Sequence, residues 1–132
     1  MIWLKNANCP AGTRTWQGAL DFVAGINNGT NVCGDTSNGG SHQIDWRLPN
    51  IRELHSLVNF AFSNPAISNA AGTGQGTSSD PFTNFQSGSV YWSSTTLAFN
   101  TNNAWGVDFL FGVVVNGVKT NGLFVTAVRG GS

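Results

Sequence analysis

The residues that could do nucleophilic or acid–base chemistry are few and scattered in this sequence. The two histidines, His42 and His55, have no serine, cysteine or aspartate at a spacing that suggests a triad. Ser93 and Ser94 lack the flanking glycines of a nucleophile elbow. The acidic residues are isolated, so no pair of carboxylates is available for general acid–base work. The sequence therefore predicts that the protein is not an enzyme.

The two cysteines, Cys9 and Cys33, have two possible states. In an oxidising compartment they could form a disulfide that closes a loop of about 25 residues and stabilises the fold by roughly 3 kcal/mol. In a reducing compartment they would be two buried thiols. The disulfide is favoured, because the composition is typical of an extracellular protein.

Metal ligands are as sparse as catalytic groups. Neither cysteine has a second cysteine or a histidine at zinc-ligand spacing. No loop has the acidic spacing of a calcium site. The sequence therefore predicts that the protein uses no metal and no cofactor.

The charge balance limits the partners. Six basic and six acidic residues give a formal net charge of zero, and only 9% of the 132 residues are charged. This balance argues against nucleic acid, anionic membranes and sulfated polysaccharides as partners. Five Trp and nine Phe supply a large aromatic content for so short a chain. The length predicts one domain, residues 1–132, with one sizeable core.

No segment approaches the ~20 apolar residues that span a bilayer, so we expect no direct membrane insertion. The opening residues, MIWLKNANCP, lack the apolar region of a secretory signal. We therefore expect an excised domain of a larger exported protein, or a component of a particle that needs no export signal.

Two helices are predicted in the first half of the chain. Thr15 caps the first, which begins at Trp16 and stops at an Asn-Asn-Gly sequence. The second is predicted over residues 51–60, because Asn50 can cap it and Glu53 completes a capping box.

Strands are predicted at residues 2–4 and 90–96, and in the final stretch 104–131. Residues 34–41 form a polar loop, and residues 63–89 are rich in Gly, Ser, Thr and Asn with little periodicity. Strands and helices in this order indicate an α+β fold.

The final stretch contains two sets of apolar residues. The first alternates as in a half-buried sheet and is assigned to the scaffold: Trp105, Val107, Phe109, Val125 and Val128. The second lies between them: Leu110, Phe111, Val113, Val115, Val118 and Leu123. An exposed apolar cluster indicates an interaction site, but this second set could equally be core or a subunit interface. Val115, Val118 and Leu123 are favoured as surface residues, because Asn-Gly turns adjoin them.

Several other residues are assigned structural roles. Trp46 and Trp92 are expected in the core. Arg47 is expected to pair with a buried carboxylate such as Asp108 and so tie the sheet to the helices. Arg129, which precedes a Gly-Gly pair, is interpreted in the same way.

Ordered motifs along nearly the whole chain point to one family. They are Trp3-Leu4-Lys5-Asn6, the Trp16 helix, Trp46-Arg47-Leu48-Pro49, Arg52-Glu53-Leu54, Tyr91-Trp92-Ser93-Ser94-Thr95, Ala104-Trp105, Val107-Asp108-Phe109 and Val128-Arg129-Gly130-Gly131. In these motifs the chain resembles the Lcl C-terminal domain family, named for a bacterial collagen-like surface adhesin. The resemblance implies a C-type lectin-like fold, with two helices packed on small antiparallel sheets, paired terminal strands and long irregular loops.

The Trp-Arg-Leu-Pro and Val-Arg-Gly-Gly elements also resemble formylglycine-generating-enzyme relatives of that fold. Those enzymes need reactive cysteines in the C-terminal part of the fold, and this chain has none after Cys33. The Glu-Pro-Asn and Trp-Asn-Asp signatures of true C-type lectins are absent from the sequence as well.

A narrower resemblance concerns the last strands, where family members often carry asparagine-rich runs. Here these positions hold Gly, Leu, Phe, Val and Asn, all of which a codon of the form NNC can encode. Adenine mutagenesis of asparagine codons by a diversity-generating retroelement produces such residues in variable proteins of C-type lectin fold; ordinary drift is the alternative. The positions are Gly106, Leu110, Phe111, Val113, Val115, Asn116, Gly117, Val118, Asn121, Gly122, Leu123 and Phe124.

Together these observations predict a non-enzymatic ligand-binding or adhesion module, located outside the cell or at its surface, or alternatively on a virion. Its ligand would be a protein or glycan on another cell or surface. The residues expected to bind it are Phe99, Asn102, Asn103, Gly106, Leu110, Phe111, Val113, Val115, Asn116, Val118, Asn121, Leu123 and Phe124. The phenylalanines and leucines would be apolar anchors and the asparagines hydrogen-bonding partners. The alternatives are a trimerising cap of a surface fibre and a formylglycine-generating-enzyme-like enzyme.

Overall fold

A computed structural model describes two helices and five strands among the residues that it covers. Those residues are 2–33, 44–59, 61–62, 66–67, 82, 84–86 and 88–130. The helices are α1 (Trp16–Asn27) and α2 (Ile51–His55), and the strands are β1 (Ile2–Trp3), β2 (Val90–Thr96), β3 (Asn103–Asp108), β4 (Val113–Val118) and β5 (Val128–Arg129). This architecture confirms the α+β prediction of two helices with small antiparallel sheets. The predictions for His42, the loop at 34–41 and most of 63–89 fall outside the described residues.

Helix α1 begins and ends where the sequence predicts. The side-chain oxygen of Thr15 accepts a hydrogen bond from the backbone N–H of Gly18 (3.1 Å), which satisfies one of the free donors at the N-terminus. The last helical residue is Asn27. Ala19, Val23 and Ile26 form the buried side of the helix.

Helix α2 has the predicted capping box but is shorter than predicted. The N–H of Glu53 donates to Asn50 Oδ1 (2.8 Å), and the N–H of Asn50 donates to Glu53 Oε1 (2.9 Å). The helix ends at His55 rather than at residue 60. The reason lies in the next hydrogen bonds: the N–H of Val58 reaches back only to His55, and that of Asn59 donates to another segment, at residue 66.

The terminal strands lie side by side, as the resemblance implies. β1 and β5 are antiparallel, with Ile2 opposite Arg129 and Trp3 opposite Val128. The predicted strand at 2–4 is two residues long, although the N–H of Leu4 still donates to the carbonyl of Ala127 (2.9 Å). This pairing closes the fold by joining its first and last elements.

The larger sheet is antiparallel with the strand order β2-β3-β4. Tyr91 lies opposite Val107 and Trp92 opposite Gly106, after which a bulge shifts the register so that Thr96 lies opposite Ala104. β3 is therefore the central strand, and β2 and β4 are the outer strands.

This sheet separates two hydrophobic cores, because successive residues of a strand point to opposite faces. The first core contains Trp46 and Trp92 together with α1. The second contains Tyr91, Val107 and Phe109 together with α2. The phenolic hydroxyl of Tyr91 donates to the carbonyl of Ala7 (2.8 Å), and burial raises the pKa of that hydroxyl. Of the predicted scaffold residues, Val107, Phe109, Val125 and Val128 are buried, whereas Trp105 is half-buried.

The predicted disulfide is confirmed. Cys9 and Cys33 are bonded, with their Cα atoms 5.5 Å apart. Cys33 is buried in the first core, and Cys9 packs against it. The bond therefore holds the segment before α1 against the segment that follows it.

Both arginines pair with carboxylates as predicted, but the carboxylate that binds Arg47 is Glu53 and not Asp108, the example suggested by the sequence. Arg47 binds both carboxylate oxygens of Glu53 (2.6 and 2.7 Å), while Asp108 Oδ1 accepts the backbone N–H of Leu110 (2.8 Å). Arg47 also forms a backbone pair with Val128, so that it joins α2 to β5. Arg129 Nε donates to Asp45 Oδ1 (2.9 Å).

Candidate binding surface

Exposed apolar side chains are concentrated on β4 and the turn before it. Of the eight large hydrophobic residues exposed in the described part of the chain, four lie within 111–118: Phe111, Val113, Val114 and Val118. A fifth, Phe99, is 86% exposed in the turn between β2 and β3. A cluster of exposed apolar residues on a small protein usually marks an interaction site.

Two amide side chains accompany Val114 and Val118 on one face of the sheet. Val118 lies opposite Asn103 and Asn116 lies opposite Trp105 across β3 and β4. The side chain of Asn103 donates to Asn116 Oδ1 (2.8 Å), so each amide orients the other. Trp105 is half-buried beside them. This end of the face therefore presents an aromatic ring, a valine and two fixed amides.

The adjoining turn between β2 and β3 has a fixed backbone and exposed side chains. The backbone carbonyl of Asn102 accepts the N–H of Lys119 (2.9 Å), and its own N–H donates to Asn100 Oδ1 (3.2 Å). Asn102 and Phe99 are both exposed. The turn after β4 is closed by the N–H of Asn121, which donates to the carbonyl of Val118 (2.8 Å), and Asn121 is exposed as well.

Lys119 positions this end of the surface, and the sequence analysis missed it. Its ammonium lies 3.9 Å from the ring centroid of Trp16 and donates to Thr96 Oγ1 (3.0 Å). Its carbonyl accepts the backbone N–H of Trp16 (3.0 Å). The available signal was its position, because no other charged residue occurs between Asp108 and Arg129.

The turn that precedes β4 packs against the protein at Gly112 and exposes the side chain of Phe111. Gly112 adopts a φ of 76°, and a Cβ there would lie 2.5 Å from Val58 Cγ1, so glycine is required on both counts. Leu110 is half-buried, while Phe111 is 63% exposed. The turn therefore holds Phe111 towards solvent.

Three residues of the predicted site belong to the scaffold instead. Gly106 is buried, and a Cβ there would lie 2.6 Å from the carbonyl oxygen of Tyr91. Leu123 is partly buried against the first core. Phe124 packs against Tyr91, with ring centroids 5.8 Å apart, and belongs to the second core. These contacts correct their assignment to the ligand surface.

The remaining predicted residues lie along β4 and its adjoining turns, with Asn116 and Val118 on one face of the sheet and Val113 and Val115 on the other. Val113 and Val118 are five residues apart on β4, which corresponds to about 17 Å at the usual rise of a strand. Phe111 and Val113 lie at one end, and Phe99, Asn102, Asn103, Asn116, Val118 and Asn121 lie at the other. Val115 is half-buried between them.

A concavity lies elsewhere, between α1 and the segment 46–50. It has a volume of about 430 Å³ and is lined by Leu20, Val23, Ala24, Asn27, Trp46, Arg47, Leu48, Asn50 and Ser94. Its one charged group, Arg47, is held by Glu53, which raises the pKa of the guanidinium and lowers that of the carboxyl. In the part of the chain that the structure describes, no three His, Cys, Asp or Glu side chains are grouped so as to hold a metal ion.

These features define a class of protein: a small disulfide-bonded α+β module with joined termini and an uncharged, partly apolar outer strand. The sequence matches the model of the Lcl C-terminal domain family over residues 1–129, so the chain belongs to that family. A comparison with curated proteins found no match.

Family membership indicates an adhesin-like or structural module, and the family is one of surface or exported protein domains. Among the described residues, neither helix is long and apolar enough to cross a membrane.

Proposed function

We propose that the chain is a non-enzymatic ligand-binding module of C-type lectin-like fold, whose ligand is a protein or glycan on another cell or surface. The binding surface consists of β4 and the turns on either side of it. The observation that carries the proposal is the concentration of exposed apolar and amide side chains there, in a chain where only 9% of residues are charged. Phe99 and Phe111 are the apolar anchors, and Asn102, Asn116 and Asn121 supply hydrogen bonds.

The side chains of this surface suit recognition rather than catalysis. Hydrocarbon and amide side chains do not ionise near neutral pH, so they offer neither a general acid nor a general base. The disulfide between Cys9 and Cys33 favours an oxidising compartment, in keeping with a place outside the cell or on a virion.

The proposal includes sequence diversification of the surface. Phe111, Val113, Asn116, Val118 and Asn121 are exposed, so that substitutions there would change recognition without removing core contacts. A reverse transcriptase gene and an asparagine-rich template repeat beside the coding sequence are the expected genomic signs. Ordinary drift predicts neither.

The binding proposal is tested with two matched triple variants. The first replaces Phe99, Phe111 and Val118 by serine, which removes the apolar part of the surface. The second is the control and replaces the equally exposed Ile2, Val32 and Ile44 by serine. The fluorescently labelled proteins are applied to a glycan array and to bacterial and animal cells.

We expect the first variant to lose at least about tenfold in affinity, or about 1.4 kcal/mol, and the control to bind as the original chain does. Equal losses in both variants would show that general apolar stickiness is being measured. Unchanged binding by the first variant would exclude β4 and its turns as the site.

A further inference from the structure

Within the described part of the chain, the backbone of β4 has a row of hydrogen-bonding groups without partners. In β3 the N–H of Phe109 donates to the carbonyl of Ser89 (3.1 Å), so the odd-numbered residues of β3 direct their N–H and carbonyl groups towards β2. The even-numbered ones, Ala104, Gly106 and Asp108, then direct theirs towards Gly117, Val115 and Val113 of β4. The backbone groups of Val114, Asn116 and Val118 therefore point away from the sheet.

These outward groups find little else to bond in the described part of the chain. No described hydrogen bond involves the backbone N–H or carbonyl of Val114 or Asn116, and the carbonyl of Val118 accepts only the N–H of Asn121. An edge of this kind is a template for another strand, and proteins usually protect it with a charge, a proline or a covering segment. β4, with the sequence VVVNGV, has neither a charge nor a proline.

We infer that β4 pairs with β4 of a second copy of this chain, antiparallel and about a two-fold axis at Asn116. In that register Asn116 lies opposite Asn116 of the second copy, and Val114 lies opposite Val118. All three residues direct backbone groups outwards, so each of these pairs exchanges two hydrogen bonds. The second lone pair of the Val118 carbonyl serves the new bond.

The exposed side chains of β4 and the charges near it are compatible with a second copy of this chain as the partner. Val114 and Val118 are both exposed, and the pairing places these apolar side chains against each other. The nearest charges do not meet their copies: Lys119 is turned onto Trp16, and Asp108 Oδ1 accepts the N–H of Leu110. With a formal net charge of zero, two copies approach without net repulsion.

The pairing closes at two copies and extends the binding surface. A two-fold interface uses the same patch on both partners and leaves no free patch for a third. The three-stranded sheets merge into one, and the face that carries Asn103 and Asn116 doubles in width. Paired strands alone bury less than the ~1,200 Å² of a standard interface, so the association is weak and concentration-dependent.

The test uses mass and hydrogen exchange of the original chain without any ligand, so its outcome is independent of the proposed function. Sedimentation equilibrium from about 10 μM to about 1 mM covers the affinities of weak complexes. The mass should rise from 13.9 kDa towards twice that value. Over the same range, amide exchange should slow at Val114, Asn116 and Val118 and stay unchanged at Val113, Val115 and Gly117.

Charge variants identify the occupant. N116K and N116E each place like charges on the two-fold axis, so each alone should remain monomeric, whereas their equimolar mixture should dimerise. Q17K adds a positive charge, as N116K does, at the exposed position 17 of α1 and should dimerise like the original chain. A monomer at the highest concentration, a mass of three chains or a mixture that stays monomeric would overturn the inference. If both variants unfold, the exchange pattern of the original chain decides alone.

Discussion

The two outer strands of the three-stranded sheet differ in what satisfies their outer edge. Along β2, Phe124 bonds to the edge at two points: its carbonyl accepts the N–H of Trp92 (2.9 Å), and its N–H donates to the carbonyl of Val90 (3.0 Å). Tyr91, Trp92 and Ser93 are buried. Along β4 the outer backbone groups have no such partner among the residues that the structure describes, and four of the six side chains are exposed.

This difference separates stability from recognition within one sheet. The indole N–H of Trp92 donates to the backbone carbonyl of Arg14 (2.8 Å), and the hydroxyl of Ser93 donates to the backbone carbonyl of Trp105 (2.6 Å). These side chains therefore also bond β2 to the rest of the fold. β4 contributes its inner backbone ladder and few buried atoms. Changes on β2 should therefore alter folding, and changes on β4 should alter what the protein contacts.

The largest effect is expected at Trp92. Replacing it by alanine removes a fully buried ring and the indole hydrogen bond, and should lower the free energy of unfolding by about 3–5 kcal/mol. Trp105→Ala is the matched control, because that ring is half-buried and should cost less. Denaturant unfolding of both variants measures the difference. Equal losses of stability in the two variants would mean that the difference in burial between the two rings does not set the cost of removing them.

A smaller effect is expected at a glycine of the central strand. In Gly106→Ala the new Cβ would lie 2.6 Å from the carbonyl oxygen of Tyr91, and the backbone shift should cost about 1–3 kcal/mol. In Gly117→Ala, the control on β4, the nearest atom is 3.4 Å from the new Cβ, which is ordinary contact. Thermal unfolding compares the two. A neutral Gly106→Ala variant would show that β2 and β3 can shift at little cost to admit a Cβ at this position.

Acid should weaken the connection between α2 and β5 that Arg47 makes through Glu53. Its hydrogen bonds from Arg47 lower the pKa of the carboxyl below the value of about 4.3 that it has in an unfolded chain. The stabilisation is therefore present above that value and is lost as the pH falls through the lowered pKa. Arg47 is partly exposed, so the loss should be about 1 kcal/mol or less.

The control for this pH effect is Glu53→Gln, which keeps the capping box but does not titrate. Unfolding measured from about pH 6 to about pH 3 should show a smaller decline in the variant than in the original chain. Parallel declines would place the acid sensitivity in other carboxylates.

The sequence predicted the local signals well because they act between near neighbours. The caps at Thr15 and Asn50 and the strand at 90–96 follow from residues within a few positions of each other. The disulfide was also predicted, because the composition favoured an oxidising compartment over a reducing one. The end of α2 was missed, because the contact that diverts Asn59 comes from residue 66.

The site was predicted only in part, because burial depends on the fold. Gly106, Leu123 and Phe124 share residue types with the exposed positions around them. Only contacts in the fold distinguish them: Gly106 and Phe124 contact Tyr91, and Leu123 packs against the first core. Arg47 was assigned to Asp108 although Glu53 lies six residues away. The unprotected edge of β4 could not be inferred, since strand order is not encoded locally.

The smallest effects are expected on β4 and the turn after it. Asn116→Ser, Val118→Asn and Asn121→Ser should each change the free energy of unfolding by no more than about 0.5 kcal/mol, because these side chains are exposed. Leu123→Ser is the control from the same stretch and should cost more, since Leu123 packs against the first core. Denaturant unfolding at low micromolar concentration avoids any contribution from self-association. If the three exposed exchanges cost as much as Leu123→Ser, β4 supports the fold as β2 does, and the separation of stability from recognition fails.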